Sequence, residues 1–164
     1  MTQPPLRPGC GPAEGLALDR RWIEGHIPHQ GRMCLLEEVL SWDAMGIRCR
    51  ATSHRLPDHP LRAHGRLGAV CGIEYAAQAM AVHGALLAAQ SGRPPVAGYL
   101  TSVRNVLLRC ERLDDLPGDL VASATRLASD ERTALYEFTV SDPGRALVSG
   151  RIGIVFNPSG GERA

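Results

Sequence analysis

The amino-acid sequence predicts an α+β fold in which one long central helix is wrapped by a twisted antiparallel β-sheet. Three observations support this prediction. One long segment, residues 67–91, has the three-and-four spacing of small and apolar residues that is typical of a helix. Segments on both sides of it alternate apolar and polar residues, as half-buried strands do. Short turns with Gly, Pro and Asp join the later segments, which favours antiparallel neighbours.

Two strands are predicted before the central helix. A short helix is expected at residues 20–24, and an apolar run predicts a buried strand at residues 33–42. Residues 45–53 alternate strictly and predict a half-buried strand. The next segment, residues 54–65, contains two prolines and three histidines and is predicted to be irregular.

The central helix presents a continuous stripe of apolar residues: Ile73, Ala76, Ala77, Met80, Ala81, Leu87 and Ala88. Gly84 interrupts the stripe as a weak helix former, and the turn at residues 91–95 ends it. Many small residues on one helix predict close approach to the surface around it. Four or more antiparallel strands follow, at residues 96–112, 119–127, 133–141 and 146–156.

Length and composition indicate one globular domain. Of the 164 residues, 44% are hydrophobic, and the 18 basic residues nearly balance the 17 acidic ones. The net charge of +1 argues against a nucleic-acid partner. The sequence contains no Lys, which excludes Schiff-base chemistry and Lys-based phosphate loops. We expect a flexible lead-in at residues 1–17, a single domain at residues 18–157 and a flexible tail at residues 158–164.

No membrane span and no secretory signal are predicted, so the expected location is the cytoplasm. None of the cysteines forms a C-x-x-C pair, and we expect all of them to be reduced thiols: Cys10, Cys34, Cys49, Cys71 and Cys110. His54, His59 and His64 are spaced by five residues in a Pro-broken loop, which matches no zinc pattern. We therefore expect no metal and no cofactor.

Glu74 is the only acidic residue on the apolar central helix, and Gln78 follows it on the same face. A carboxylate among apolar residues is costly unless it is paired, protonated or at a cavity. The simpler alternative is that Glu74 points to solvent and interacts with the helix dipole.

Five of the six histidines precede or begin the helix, and the simpler interpretation of His54 and His64 is that water solvates them. A histidine near Glu74 could remove and return a proton beside a carbonyl group.

Three segments of the chain resemble the bacterial β-hydroxyacyl-acyl carrier protein dehydratases of the FabZ type. Residues 27–39, IPHQGRMCLLEEV, are similar to their opening motif LPHRxPFLLVDRV. Residues 59–79, from HPLR to GIEYAAQA, are similar to GHFPGxPxxPGVLxxEAxAQ. VAGY at residues 96–99 and PGD at residues 117–119 resemble a later pair of motifs. The likeness spans residues 27–156 and is nearest to the branch found in aryl-polyene biosynthetic clusters.

The resemblance implies a hotdog fold, and a homodimer or a heterodimer with a related hotdog subunit. It also implies an acyl carrier protein as the partner that carries the substrate. In that family a loop histidine and a helix glutamate meet at the dimer interface. The glutamate corresponds to Glu74. The histidine corresponds to His59, where this chain has HPLR in place of HFPG, or to His29 in the first motif.

The implied activity is dehydration of 3-hydroxyacyl thioesters to trans-2-enoyl thioesters, in fatty-acid or polyene type biosynthesis. The histidine takes a proton next to the carbonyl, and Glu74, kept protonated by an apolar pocket, protonates the leaving hydroxyl. Backbone N–H groups near Gly72 receive the developing enolate, and Gly72 leaves room for the thioester. The expected substrate-binding residues are Gly72, Gln78, Tyr75 and Gly98.

Two alternatives stay open: a hotdog acyl-thioesterase, and a non-catalytic acyl-binding subunit of a heterodimeric dehydratase. Four arginines are candidate contacts for the acidic carrier protein: Arg48, Arg50, Arg62 and Arg104.

Overall fold

The computed structural model describes residues 18–157. The predicted lead-in at residues 1–17 and tail at residues 158–164 lie outside the described residues. The described range contains two α-helices, α1 (Arg20–His26) and α2 (Gly72–Gln90). The same residues form six strands: β1 (Glu38–Trp42), β2 (Gly46–Ala51), β3 (Gly98–Leu108), β4 (Leu120–Ser129), β5 (Thr133–Asp142) and β6 (Arg145–Phe156). Three single turns of 3-10 helix connect them: Gly31–Met33, Ser53–Arg55 and Ala69–Cys71.

The six strands form one antiparallel sheet in the order β1-β2-β4-β5-β6-β3. Helix α2 packs across β2, β4 and β5 on one face of this sheet. The inward residues of β5 are those that the alternation predicts, and all are buried: Ala134, Tyr136, Phe138 and Val140. The predicted α+β class, with one long helix on an antiparallel sheet, is therefore confirmed.

The strand predicted at residues 33–42 is wrong in its first half, because β1 begins only at Glu38. The apolar run at this point is fully buried but lies outside the sheet: Cys34, Leu35 and Leu36. Its hydrophobicity reflects burial and does not indicate a strand. The helix is also shorter than predicted, since the 3-10 turn Ala69–Cys71 precedes α2.

Helix α2 and the turn before it, Ala69–Gln90, are long and apolar enough to cross a membrane, and more than half of that segment is buried inside the fold. The core helix of an α+β protein has the same length and composition, and the packing against the sheet accounts for both.

His83 is fully buried on α2, a position where the sequence analysis assigned it no role. Its Nε2 lies 2.7 Å from the carbonyl oxygen of Asp43, which can only accept, so Nε2 carries the ring hydrogen. Its Nδ1, 2.9 Å from the Tyr136 hydroxyl, accepts that hydrogen bond. Burial lowers the pKa of His83, and it does the same for His54 and His59, which are also buried.

These three histidines predict that the free energy of unfolding falls as the pH drops below about 6.5, the ordinary histidine pKa. The unfolded chain binds protons there that the folded chain excludes, at up to about 1.4 kcal/mol per pH unit for each histidine. Urea unfolding at pH 7.5 and 5.5 measures the difference. His83→Gln should flatten this dependence, because it removes one of the three buried titrating groups. Equal free energies at both pH values would contradict the prediction.

Candidate active site

His29 lies in a loop that hydrogen bonds hold against α1. Nε2 of Gln30 donates to the carbonyl oxygen of Glu24 at 2.6 Å, and Nη2 of Arg20 donates to that of Gly31 at 2.8 Å. Gly31 has φ +57°, a left-handed conformation that favours glycine, and this lets the chain turn directly after the loop. These contacts hold the loop against α1 directly after His29.

His29 and Glu74 meet within a single chain. Nε2 of His29 lies 3.1 Å from Oε1 of Glu74, in the first turn of α2. The two side chains are 28% and 33% exposed, so the pair is partly accessible to solvent. Glu74 is therefore neither fully exposed to solvent nor fully buried. The contact places an imidazole and a carboxyl group within proton-transfer distance.

Gln78 fixes the carboxyl group of Glu74 from the next turn of the helix. The N–H of Leu35 donates to Oε1 of Gln78 at 2.9 Å, which orients the amide. Nε2 of Gln78 then donates to the carbonyl oxygen of Met33 at 2.7 Å and to Oε1 of Glu74 at 3.0 Å. Glu74 thus lies between two nitrogen atoms, those of His29 and Gln78.

These contacts decide the charge of Glu74 in the free protein. Burial raises the pKa of Glu74, but the hydrogen bonds with His29 and Gln78 outweigh it, and the pKa lies below its ordinary value. The prediction that an apolar pocket keeps Glu74 protonated is therefore wrong for the free protein. The carboxylate is the resting form.

His59 is not brought to Glu74. Its Nδ1 accepts from the N–H of Leu61 at 3.1 Å, so Nε2 carries the hydrogen and donates it to the Tyr75 hydroxyl at 3.0 Å. The side chain is buried, and burial together with nearby Arg62 lowers its pKa. Both ring nitrogens already have partners inside the protein, so the structure pairs Glu74 with His29 rather than with His59.

Two residues predicted to bind substrate, Tyr75 and Gly72, lie instead in the protein interior. Tyr75 is fully buried, with its hydroxyl bonded to His59 and Ser53. A Cβ atom on Gly72 would lie 2.9 Å from Cγ2 of Val148, so the missing side chain allows close packing of helix on sheet rather than room for a thioester. The backbone N–H of Gly72 already bonds carbonyl oxygens of the preceding turn, so it is not free to receive an enolate.

Gly98 is also distant from the pair within this chain. It begins β3, while Leu108 at the other end of that strand pairs with Val148, the residue that contacts Gly72. Ten residues of strand separate the two ends, roughly 30 Å at the usual rise per residue.

Other sequence expectations are corrected by ion pairs and burial. His54 is fully buried rather than solvated, whereas His64 is exposed as expected. Arg50 bonds Glu38 and Asp119, and Arg62 pairs with the buried Asp114, so these two arginines are engaged within the chain. Arg48 and Arg104 are exposed.

Within residues 18–157, no group of three or more His, Cys, Asp and Glu side chains is placed to hold a metal ion. The cysteines of that range are free thiols: Cys34, Cys49, Cys71 and Cys110. Cys10 lies outside the described residues.

The fold defines the class of the protein as a hotdog-fold protein, in which an antiparallel sheet wraps one long helix. Residues 22–163 match the family model described as ApeP dehydratase. The chain belongs to the ApeP-like dehydratase family, and its resemblance to the hotdog dehydratases of the aryl-polyene type is confirmed. The search of curated proteins gave no match.

Solved structures share the fold. The dehydratase heterocomplex ApeI:P from Xenorhabdus doucetiae aligns with a TM-score of 0.74 and 24% identity over 84% of this chain and 91% of that chain. Zebra fish thioesterase superfamily member 2 aligns with a TM-score of 0.60 and 15% identity, over 87% and 100% of the two chains. A mutant thioesterase from Staphylococcus aureus aligns with a TM-score of 0.54 and 12% identity, over 74% of this chain and 93% of that chain.

Proposed function

We propose that the protein dehydrates 3-hydroxyacyl thioesters, carried on acyl carrier protein, to trans-2-enoyl thioesters. The observation that carries this proposal is the contact between His29 and Glu74 at a partly open position on the helix. Membership of the ApeP-like dehydratase family supports the reaction class. The likeness of its motifs to the aryl-polyene branch, together with this family membership, favours polyene type biosynthesis over general fatty-acid biosynthesis.

The pair enters the reaction as neutral imidazole and carboxylic acid. In the free protein, hydrogen bonds favour the carboxylate of Glu74, while burial opposes it. Each side chain is about a third exposed, and a bound acyl thioester would exclude this water. Loss of water penalises the charged carboxylate, so Glu74 takes up a proton as the substrate binds and becomes the carboxylic acid beside the His29 imidazole.

Dehydration then needs one proton removed and one returned. His29 takes the proton from the carbon next to the thioester carbonyl. The bond between the third carbon and its oxygen breaks, and Glu74 protonates the departing hydroxyl, which leaves as water. His29 is now protonated and Glu74 is ionised. Proton transfer across their 3.1 Å contact restores the neutral pair for the next turnover.

A thioesterase is the second candidate, because two of the aligned folds are thioesterases. In that case the Glu74 carboxylate would activate a water molecule, and the product would be a free acid. Mass spectrometry of a carrier protein loaded with a 3-hydroxyacyl chain separates the two. We expect loss of one water from an acyl chain that stays attached. Release of the chain as a hydroxy acid would assign the thioesterase activity instead.

We further propose that a second hotdog subunit, identical or related, binds along β3. The structurally similar ApeI:P dehydratase is itself a heterocomplex, which supports a subunit partner. Strand β3 is at the edge of the sheet, and one of its sides pairs with no other strand of residues 18–157. It carries exposed apolar side chains at both ends: Tyr99, Leu100, Leu107 and Leu108. An edge strand with exposed apolar residues is unfavourable in water and suits an interface between subunits.

Sedimentation should therefore show a dimer or larger assembly at micromolar concentration, and Leu108→Arg should weaken it. The charged side chain would lie in the apolar interface, where its burial is costly. Leu135→Arg is the matched control, because Leu135 is exposed on β5 inside the sheet and away from its edge. A wild-type monomer, or equal effects of both variants, would contradict the β3 interface.

A further inference from the structure

Residues 33–37, here called the strap, lead from the His29 loop to β1. Both backbone polar groups of Leu35, in the middle of the strap, are bonded by side chains. Its N–H donates to Gln78 at 2.9 Å, and its carbonyl oxygen accepts from Oγ of Ser53 at 2.8 Å. The strap is buried at this point, so these two bonds determine where Leu35 lies.

In the hydrogen bonds that lead from His59 through Tyr75 to Ser53, only one assignment of donors and acceptors is possible. Ser53 gives its only hydrogen to Leu35, so it must accept from the Tyr75 hydroxyl, 2.8 Å away. Tyr75 in turn accepts from His59, whose other nitrogen accepts from the N–H of Leu61. Every hydrogen in this chain of contacts points toward the strap, and buried chains of this kind strengthen their members.

The same series of bonds ends at Glu74. The N–H of Leu35 orients the Gln78 amide, and that amide donates to Glu74 at 3.0 Å. A shift of Leu35 would turn the amide of Gln78 and release the carboxyl group from its place beside His29. Displacements of about 1 Å in a catalytic group lower rates by up to about a hundredfold.

We propose that Ser53, supported by Tyr75 and His59, is a positioning residue that holds Glu74 in its reactive place through the strap and Gln78. Ser53 itself is buried and touches neither Glu74 nor the opening of the site. This inference rests on the proposed dehydratase function, since it assigns Ser53 a part in that reaction.

Ser53→Ala tests the proposal, because it removes the hydrogen-bond donor to Leu35 without substituting Gln78 or Glu74. We expect kcat for the carrier-bound 3-hydroxyacyl substrate to fall about tenfold with little change in KM. The alkaline limb of the pH profile of kcat, where Glu74 loses the proton that it gives to the leaving hydroxyl, should move to higher pH. A looser Gln78 amide stabilises the carboxylate less, and its pKa therefore rises.

Tyr75→Phe and Tyr136→Phe form a matched pair of further variants. Each removes a hydroxyl that is bonded to a buried histidine, and each tyrosine packs in the core with α2. Both should lose stability, but only Tyr75 leads to the strap. Tyr75→Phe should therefore lower kcat and shift the alkaline limb, as Ser53→Ala does, while Tyr136→Phe keeps both at wild-type values.

The proposal is overturned if the folded Ser53→Ala protein keeps wild-type kcat and pH profile. If Ser53→Ala does not fold, the same result for Tyr75→Phe overturns it, because the network would then be structural only. A Glu74→Gln protein with wild-type turnover is a different result, since it removes the proposed reaction itself. The two failures are therefore distinguishable.

Discussion

Glu74→Gln is expected to lower the turnover of a 3-hydroxyacyl carrier-protein substrate by about a hundredfold or more, the usual contribution of a general acid. The amide is nearly the size of the carboxyl group and its oxygen can still accept from Gln78, so the fold should be retained. It has no acidic proton to give to the leaving hydroxyl. The rate of enoyl thioester formation measures the effect, with urea unfolding as the check on the fold.

Glu137→Gln is the matched control for this change. Glu137 is a half-exposed carboxylate on β5 that pairs with Arg151 at 3.4 Å, and replacing it should alter neither turnover nor stability much. If Glu74→Gln turned over at the wild-type rate, Glu74 would not be the acid. The non-catalytic acyl-binding subunit would then be the better assignment.

His29→Asn is expected to match the Glu74→Gln effect, whereas His59→Asn is not. His29 is in the partly open pair with Glu74, and asparagine cannot take the substrate proton. His59→Asn removes the acceptor of the part-buried Leu61 N–H and the donor to the Tyr75 hydroxyl, at a cost of about 1–3 kcal/mol in stability. Its folded protein should lose no more than about tenfold in turnover, through the strap.

Turnover at saturating substrate and urea unfolding separate the two histidines. We expect His29→Asn to lower turnover strongly with little change in the free energy of unfolding. His59→Asn should instead lower the free energy of unfolding and reduce turnover by no more than about tenfold. A His59→Asn protein that is stable but inactive, beside an active His29→Asn protein, would restore His59 as the base.

The fold and half of the site could be predicted from patterns within short windows. Periodicity located α2 and the later strands, and an isolated acid on an apolar helix marked Glu74. Gln78 could be placed beside Glu74 because the two residues are one helical turn apart. The family resemblance added the hotdog fold, which periodicity alone does not define.

The rest of the site depends on contacts between distant residues. Ser53 is 22 residues from Tyr75, and Leu35 is 43 residues from Gln78, so no local spacing indicates these bonds. The bond between Leu35 and Gln78 also uses a backbone N–H group, which every residue except proline carries. The choice between His29 and His59 follows from the path of the strap and from the partner of each ring nitrogen, and neither is visible in the sequence.

His54 and His83 were missed for a related reason. The imidazole of each is buried and bonds a backbone carbonyl oxygen, that of Leu116 for His54 and that of Asp43 for His83. A histidine in a Pro-broken loop is usually exposed. The tertiary packing of that loop against the turn before β4 is what buries His54.

The central claim is that His29 and Glu74 act as one acid–base pair, and the turnover of the double variant His29→Asn/Glu74→Gln tests it most directly. Residues that act as a unit show strongly non-additive losses, because removing either one already stops the shared step. We predict that the double variant is about as slow as the slower single variant, roughly a hundredfold below wild type. Losses that multiply to about ten-thousandfold would mean that the two residues act independently and would contradict the account.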